Sequence, residues 1–322
     1  MGQWQYTRGL HDLGNSVYAY LQPDGTWGWS NAGLITDGEA SLLVDTLFDL
    51  KLTREMLDSM RRSVPASSHI DVVVNTHANG DHCYGNQLVA DAHIIASGRA
   101  AGEMATSITP AQFAMLLKQA PDMGQVGQFL LHAFGKFDFE NITFTLPQQT
   151  FDGEMTLHVG NKEVRLIEVG PAHTRGDTLV YIPGNRVVFT ADILFIGGHP
   201  IMWAGPTSNW LRACDRILAM DVDVIVPGHG PITDKQGVIQ IKEYLQYIYD
   251  EARKRYEAGM PAFEAAQDIP LDRYATWTEG ERIVVNVASI YRELSGDTSH
   301  PNVTSQMAQM AAFYSILQGE EA

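Results

Sequence analysis

The sequence predicts an α/β protein, and three observations carry that expectation. Short strand-like runs punctuated by tight turns fill the first third, helical patterns alternate with strands from about residue 50, and His and Asp residues gather at the ends of several predicted strands. Residues 16–22, 32–36 and 41–47 are strand-like, are separated by Pro23-Asp24-Gly25 and Asp37-Gly38, and read as antiparallel hairpins. Residues 52–62 place Met56 and Met60 one helical turn apart with charges between, and the apolar run 70–74 follows as a buried strand, so a β-α-β alternation begins here. After a strand at 92–96, the stretch 98–136 carries Met104, Met115, Leu116, Leu117, Met123, Phe129, Leu130 and Leu131 at helical spacing; its length makes it an insertion or a lid. Strands resume at 155–159, 163–169, 178–182 and 186–190. A helix over 210–220, a strand over 222–226 and a long amphipathic helix over 236–257, with Ile239, Ile241, Leu245, Ile248 and Tyr249 near one side, complete the alternation. Helical patterns at 281–294 and 303–317 then extend it. The organisation expected is an α/β body over 1–235 and a helical extension over 236–322 packed on it, with the last helices covering the body, forming a dimer surface, or both.

Three hundred and twenty-two residues, at ~150 per domain, suit two domains or one large one. With 45% hydrophobic and 19% charged residues, disorder is excluded as the main state. Twenty-two Lys and Arg against 38 Asp and Glu leave a net charge of −16, whose field repels polyanions and argues against nucleic acid and anionic membrane as partners. Cys83 and Cys214 are too few for a disulfide framework and suit a reducing, cytoplasmic address. No apolar run approaches the ~20 residues of a membrane span, and residues 1–6 have neither the basic nor the apolar segment of a leader.

The chemistry concentrates in one segment, Asn75-Thr76-His77-Ala78-Asn79-Gly80-Asp81-His82-Cys83-Tyr84-Gly85-Asn86, directly after the strand at 70–74. On extended backbone His77 and Asn79 share a face, and Gly80 permits the turn that returns Asp81 and His82 from a helix N-terminus. One loop can thus serve two metals. Downstream come Gly170-Pro171-Ala172-His173-Thr174-Arg175-Gly176-Asp177, then Thr190-Ala191-Asp192, then Pro227-Gly228-His229-Gly230-Pro231, each following or closing a predicted strand, where α/β sheets present their sites. A lone histidine is ordinarily a core or surface residue; four glycine-flanked strand ends with this content are hard to explain by packing.

On these residues the sequence resembles the metallo-β-lactamase superfamily, over about residues 18–231. The family pattern is His-x-His-x-Asp-His, a His in Gly-x-x-His-Thr-x-Gly, an Asp after a strand, and a late Gly-His. The resemblance implies a four-layer αββα sandwich over the body, with a helical insertion and extra C-terminal helices, and a one- or two-metal site along an edge of the β-sandwich. Carried over by position, one metal falls to His77, residue 79 and His173, the other to Asp81, His82 and His229, and Asp192 bridges them. Asp45 matches an acid that buttresses the motif loop. Where most members have a second His this chain has Asn79, and an amide oxygen is a poorer zinc ligand than imidazole, so the first site is expected to be weaker or to accept a harder ion. The implied cofactor is zinc, one or two per chain, with iron or manganese as alternatives.

The function so implied is hydrolysis of a small ester, thioester, lactone or amide by metal-bound hydroxide, with Asp81 as the catalytic residue that orients the nucleophile and takes its proton. Alternatives are an iron-dependent oxidoreductase on the same scaffold, a phosphodiesterase, which the −16 charge disfavours, and a ligand-binding protein with a silent site. No Gly-x-Ser-x-Gly elbow is present and Cys83 lacks a free histidine partner, so Cys83 reads as a small buried residue. His11, His69, His93, His132, His158 and His300 carry no pattern. His199, in Gly197-Gly198-His199-Pro200, could roof the site or be structural, and Trp27 and Trp29, two apart on a hairpin, could share a face as an apolar pocket wall or pack in the core.

Overall fold

The computed structural model describes residues 4–299 and 301–319; residues 1–3, His300 and 320–322 lie outside the described residues. Seven strands form the first sheet in chain order: β1 (Gly9–Gly14), β2 (Val17–Leu21), β3 (Ala32–Asp37), β4 (Ala40–Val44), β5 (Val72–Val74), β6 (His93–Ser97) and β7 (Gln149–Phe151). The hairpin strands pair antiparallel, whereas β4 to β7 run parallel because helices bridge them. The second sheet contains β8 (Glu154–Val159), β9 (Lys162–Glu168), β10 (Thr178–Ile182), β11 (Val187–Phe195) and β12 (Val224–His229), ordered 12-11-10-9-8.

Alternation along the parallel strands explains the layers. Leu43, Val73 and Ile94 face α1 (Leu50–Ser63), whose Met56 and Met60 are buried against them. Their neighbours Leu42, Val44, Val74 and Ile95 face the second sheet and meet Val164, Leu166, Val180 and Val226. That sheet's other face is covered by α6 (Thr207–Ala219), through Trp210 and Cys214, and by α7 (Lys235–Glu257), through Val238, Ile241, Leu245 and Ile248. Helix, sheet, sheet and helix thus stack as the resemblance implied. Helix α1 starts where Asp49 accepts the Leu52 amide at 2.7 Å and ends on Arg61 and Arg62, favourable charges beside carbonyl ends.

The stretch 98–136 folds as α3 (Gly98–Met104), α4 (Pro110–Gln119) and α5 (Gly124–Phe134), with Thr109 and Gln112 forming a capping box. Met104, Phe113, Phe129, Leu130 and Phe134 are buried, whereas Met115 and Met123 face solvent. The segment is therefore part of the core and also walls the cavity described below. Helices α8 (Ala262–Asp268), α9 (Ile283–Ser295) and α10 (Val303–Gln318) follow, with α9 packed on α7 and α8, and α10 on α5 and α9. No helix among the described residues is long and apolar enough to cross a membrane.

Three elements escaped sequence reading: β1, with a polar, half-exposed pattern; β7, of only three residues; and α8, in a stretch that reads as turns. Strand β11 runs five residues beyond its expected end, through an irregularity at Ala191, whose φ is +44°.

Candidate metal centre

Backbone irregularity aims the site's side chains. The register shift at Ala191 turns Asp192 toward the edge of the sandwich, and Gly228 makes room for it, since a Cβ there would lie 1.9 Å from Asp192 Oδ1. The motif loop leaves β5 and closes into the short helix α2 (Gly80–Cys83). Asp45, at φ +61° just beyond β4, accepts the Thr76 amide (2.8 Å) and the Thr76 hydroxyl (2.7 Å) and contacts His82 Nδ1 (2.9 Å), which ties the end of β4 to the motif loop. Asn75 and Asn86 hydrogen-bond each other, and Asn75 donates to the His82 carbonyl. The His173 loop is held likewise by buried Asp177, which accepts from Ala172 N, Thr174 N and Thr174 Oγ1. Burial, only partly offset by these donors, pushes the Asp177 carboxyl up to about 8.

Each histidine has its Nδ1 engaged and its Nε2 turned inward. The Nδ1 partners are Thr76 Oγ1 for His77 (3.0 Å), Asp45 Oδ2 for His82 (2.9 Å), the Ile201 carbonyl for His173 (2.7 Å) and the Gly25 carbonyl for His229 (3.0 Å). The Nε2 atoms surround Asp192: His82 lies 3.1 Å from Oδ1, and His173, His229 and His77 lie 3.2, 3.5 and 3.7 Å from Oδ2. Asp81 Oδ2 is 3.3 Å from His229 Nε2 and 3.9 Å from His82 Nε2. Among the described residues, two sets have ligand atoms mutually close enough to hold one ion, Asp81-His82-His229 and His77-His82-Asp192.

These residues fit a divalent cation. His77 Nε2, His82 Nε2 and Asp192 Oδ1 are buried without a well-formed hydrogen bond, an arrangement that costs free energy unless something accepts the lone pairs. Burial pushes His77 and His173 below the usual imidazole range. For His82 and His229 burial acts the same way, but Asp192 and Asp81 outweigh it, raising His229 to about 9 and His82 well above its ordinary value. Two buried carboxylates thus demand positive charge, which either protons or a metal supplies.

Asn79 stands half-buried at the N-cap of α2, its Nδ2 2.9 Å from His173 Nε2. We expect Asn79→His to raise zinc content toward two per chain, with His77 and His173 completing a three-histidine set. Equal, tight binding of two zinc ions by both proteins in a metal titration would overturn this.

The other expected residues divide. Trp27 lines a cavity of about 1290 Å³ that opens onto Asp81, His173, Asp192 and His229, and whose walls include Phe48, Tyr84, Phe113, Phe134 and Trp203. Trp29 does not line it: residues 22–31 form an irregular loop, Gly28 has φ +75°, and Trp29 turns away to Phe137 and Arg8. His199 does not roof the site either. It is fully buried, its Nδ1 3.0 Å from Tyr244 Oη and its Nε2 3.2 Å from the Tyr274 carbonyl, because α7 and the segment after α8 cover its loop. Cys83 is buried, with burial raising its thiol well above the ordinary range. Sequence reading missed Arg282, buried in the C-terminal extension yet on the cavity wall; the cluster Glu279-Gly280-Glu281-Arg282 was the available signal.

Burial lowers the His199 pKa to about 4, from 6.5 in an unfolded chain. Between these values the unfolded state takes up a proton that the fold refuses, so this group's contribution is full above pH 6.5 and lost as pH falls toward 4. The full acid loss is about 3 kcal/mol, of which about 2 kcal/mol falls between pH 6.5 and 4.5, and denaturant unfolding of His199→Gln at those two pH values should show a decline shallower than wild type by that amount. Equal declines would disprove it.

Fold and site together define a two-sheet sandwich with a histidine and aspartate metal-binding edge. The profile of the Metallo-beta-lactamase superfamily matches residues 25–229, and the chain belongs to that superfamily. A linear primary-alkylsulfatase from Pseudomonas sp. is 21% identical over 279 residues, 74% of this chain and 49% of that protein. The Metallo-beta-lactamase type 2 of Bacillus cereus is 21% identical over 225 residues, 67% of this chain and 73% of that protein. Among solved structures, the stereoselective inverting sec-alkylsulfatase Pisa1 from Pseudomonas sp. superposes with a TM-score of 0.68 at 17% identity, covering 92% of this chain and 51% of that one. The chain spans about half the length of these alkylsulfatases.

Proposed function

We propose that the chain is a metal-dependent hydrolase of small molecules that cleaves an ester, thioester, lactone or amide, and that zinc is its metal. One observation carries the reading: four buried histidines, each oriented through Nδ1, turn Nε2 toward two buried carboxylates at the floor of a large cavity with aromatic side chains in its wall. Asp81, His82 and His229 would hold one ion, His77, Asn79 and His173 the other, with Asp192 shared. A divalent cation there supplies Lewis acidity and lowers the pKa of water to about 7. Asp81 orients the attacking water and takes its proton on Oδ1, since Oδ2 faces His229 and His82. Asp45 keeps His82 in the tautomer that presents a bare Nε2. Trp27, Phe48, Phe113 and Phe134 exclude bulk water from the reacting bond and receive the substrate's apolar part.

The test is metal analysis of protein purified without added metal, followed by a panel of chromogenic esters, thioesters, lactones, amides and β-lactams. Alkyl sulfates join the panel because the similar proteins named above include alkylsulfatases. The expected result is zinc at one or two per chain and turnover of at least one substrate that a chelator abolishes and zinc restores. Iron with oxygen consumption and no hydrolysis would overturn the reading in favour of redox chemistry.

A further inference from the structure

The loop 22–31 bends over the metal centre, and its two shoulders are tied to the sandwich. At one end Asn31 donates through Nδ2 to the carbonyls of Pro227 and Gly230, and Ser30 Oγ donates to the Asp81 carbonyl. At the other, the Gly25 carbonyl receives His229 Nδ1. The tip carries Trp27, and three contacts reach it from a segment more than 250 positions later in the chain. The Trp27 amide donates to Glu279 Oε1, its indole Nε1 donates to Glu281 Oε1 at 2.8 Å, and the Arg282 guanidinium lies 4.1 Å from the indole centroid. Arg282 is itself fixed, by Glu279 (2.8 Å) and by the His199 carbonyl (2.9 Å), and lies over Phe195, whose ring stacks on His229. Glu281 and Arg282 are 3% and 1% exposed, so these polar interactions form inside the protein, where they are strong when made and costly when broken.

We propose that the buried turn Glu279-Gly280-Glu281-Arg282 is a positioning device that holds the tip of the 22–31 loop, so that Trp27 walls the cavity and sets which apolar group the site admits. The matched region of the superfamily ends at residue 229, so the C-terminal extension supplies specificity to a centre that it does not ligate. A truncated Glu281 leaves the indole N–H without its acceptor, and the tip of the loop then samples positions that open the apolar wall. Glutamine at 281 keeps an acceptor oxygen and restores the wall. The selectivity consequence rests on the hydrolase reading; the positioning itself does not.

The experiment compares wild type, Glu281→Ala, Glu281→Gln, Trp27→Phe and the Glu281→Ala/Trp27→Phe double variant, each with zinc content measured. Amide hydrogen exchange over residues 22–31 should quicken in Glu281→Ala and return toward wild type in Glu281→Gln, at unchanged zinc content. The kcat/KM ratio for 4-nitrophenyl benzoate over 4-nitrophenyl acetate should shift about tenfold in Glu281→Ala, chiefly through KM, and adding Glu281→Ala to Trp27→Phe should shift it little further. Unchanged exchange in Glu281→Ala, no rescue by Glu281→Gln, or additive effects in the double variant would each overturn the proposal. If wild type cleaves no member of the panel, the hydrolase reading fails, while the exchange comparison still decides whether the turn positions Trp27.

Discussion

Alanine at His82 or His229 should lower kcat/KM roughly a thousandfold or more, with loss of zinc from the Asp81-His82-His229 set. The two variants should nevertheless differ in stability. His82 lies between Asp45 Oδ2 at 2.9 Å and Asp192 Oδ1 at 3.1 Å, so its removal takes the one imidazole from Asp45, leaving it only its Thr76 donors, and one of four from Asp192, and should destabilise the fold by about 3 kcal/mol. His229 receives no such sandwich: its Nδ1 meets a backbone carbonyl, and its Nε2 lies near Asp81 and Asp192, which keep His82 as a neighbour. His229→Ala should therefore lose metal and rate with a smaller loss of stability. Zinc analysis, steady-state kinetics and denaturant melts decide this, and undiminished turnover in either variant would remove these residues from the mechanism.

Deleting residues 104–129 and closing the gap with a short Gly/Ser linker should abolish soluble, folded protein. As a gating lid the segment would be dispensable for folding, and removal would only broaden substrate preference. The packing opposes that. Met104, Phe113 and Phe129 are buried, Phe113 stacks on Phe139, and α5 carries α10 against the body. Loss of a buried Phe costs about 3–5 kcal/mol, and removing two of them approaches the 5–15 kcal/mol that typically separates folded from unfolded chains. Size-exclusion chromatography and near-ultraviolet circular dichroism read the outcome. A soluble variant that keeps its zinc and accepts bulkier substrates would restore the lid.

The residues of the candidate metal centre were legible because their signals are local. A glycine that permits a turn, a histidine two positions from a potential ligand and an aspartate at a strand end are written within a few residues of one another, and the chain's own stereochemistry brings them to one place. His77, Asp81 and His82 are read this way, and of the others His173 lies in the loop between β9 and β10, Asp192 at the irregularity within β11 and His229 at the end of β12. The strand and helix patterns were legible for the same reason: Leu42 and Leu43, or Met56 and Met60, report which face is buried through spacing alone.

Local pattern alone thus carried the class of fold, the residues able to hold a metal and the likeness that orders them. The places of Trp29 and His199, and what encloses the centre, came instead from long-range packing. Trp27 and Trp29 look equivalent on an alternating strand, but Gly28 at φ +75° breaks the alternation, and one indole faces the cavity while the other packs on Phe137. His199 stands in a glycine-flanked loop like the other candidates, yet Tyr244 of α7 and the Tyr274 carbonyl capture its ring. For Arg282 the local Glu279-Gly280-Glu281-Arg282 cluster marks a charged turn but not its place, since its partners Trp27 and His199 lie 255 and 83 positions away. Hydrogen bonds and ring contacts between segments so distant depend on how the layers close over one another, and that closure is a property of the packed whole, which no window of neighbouring residues encodes.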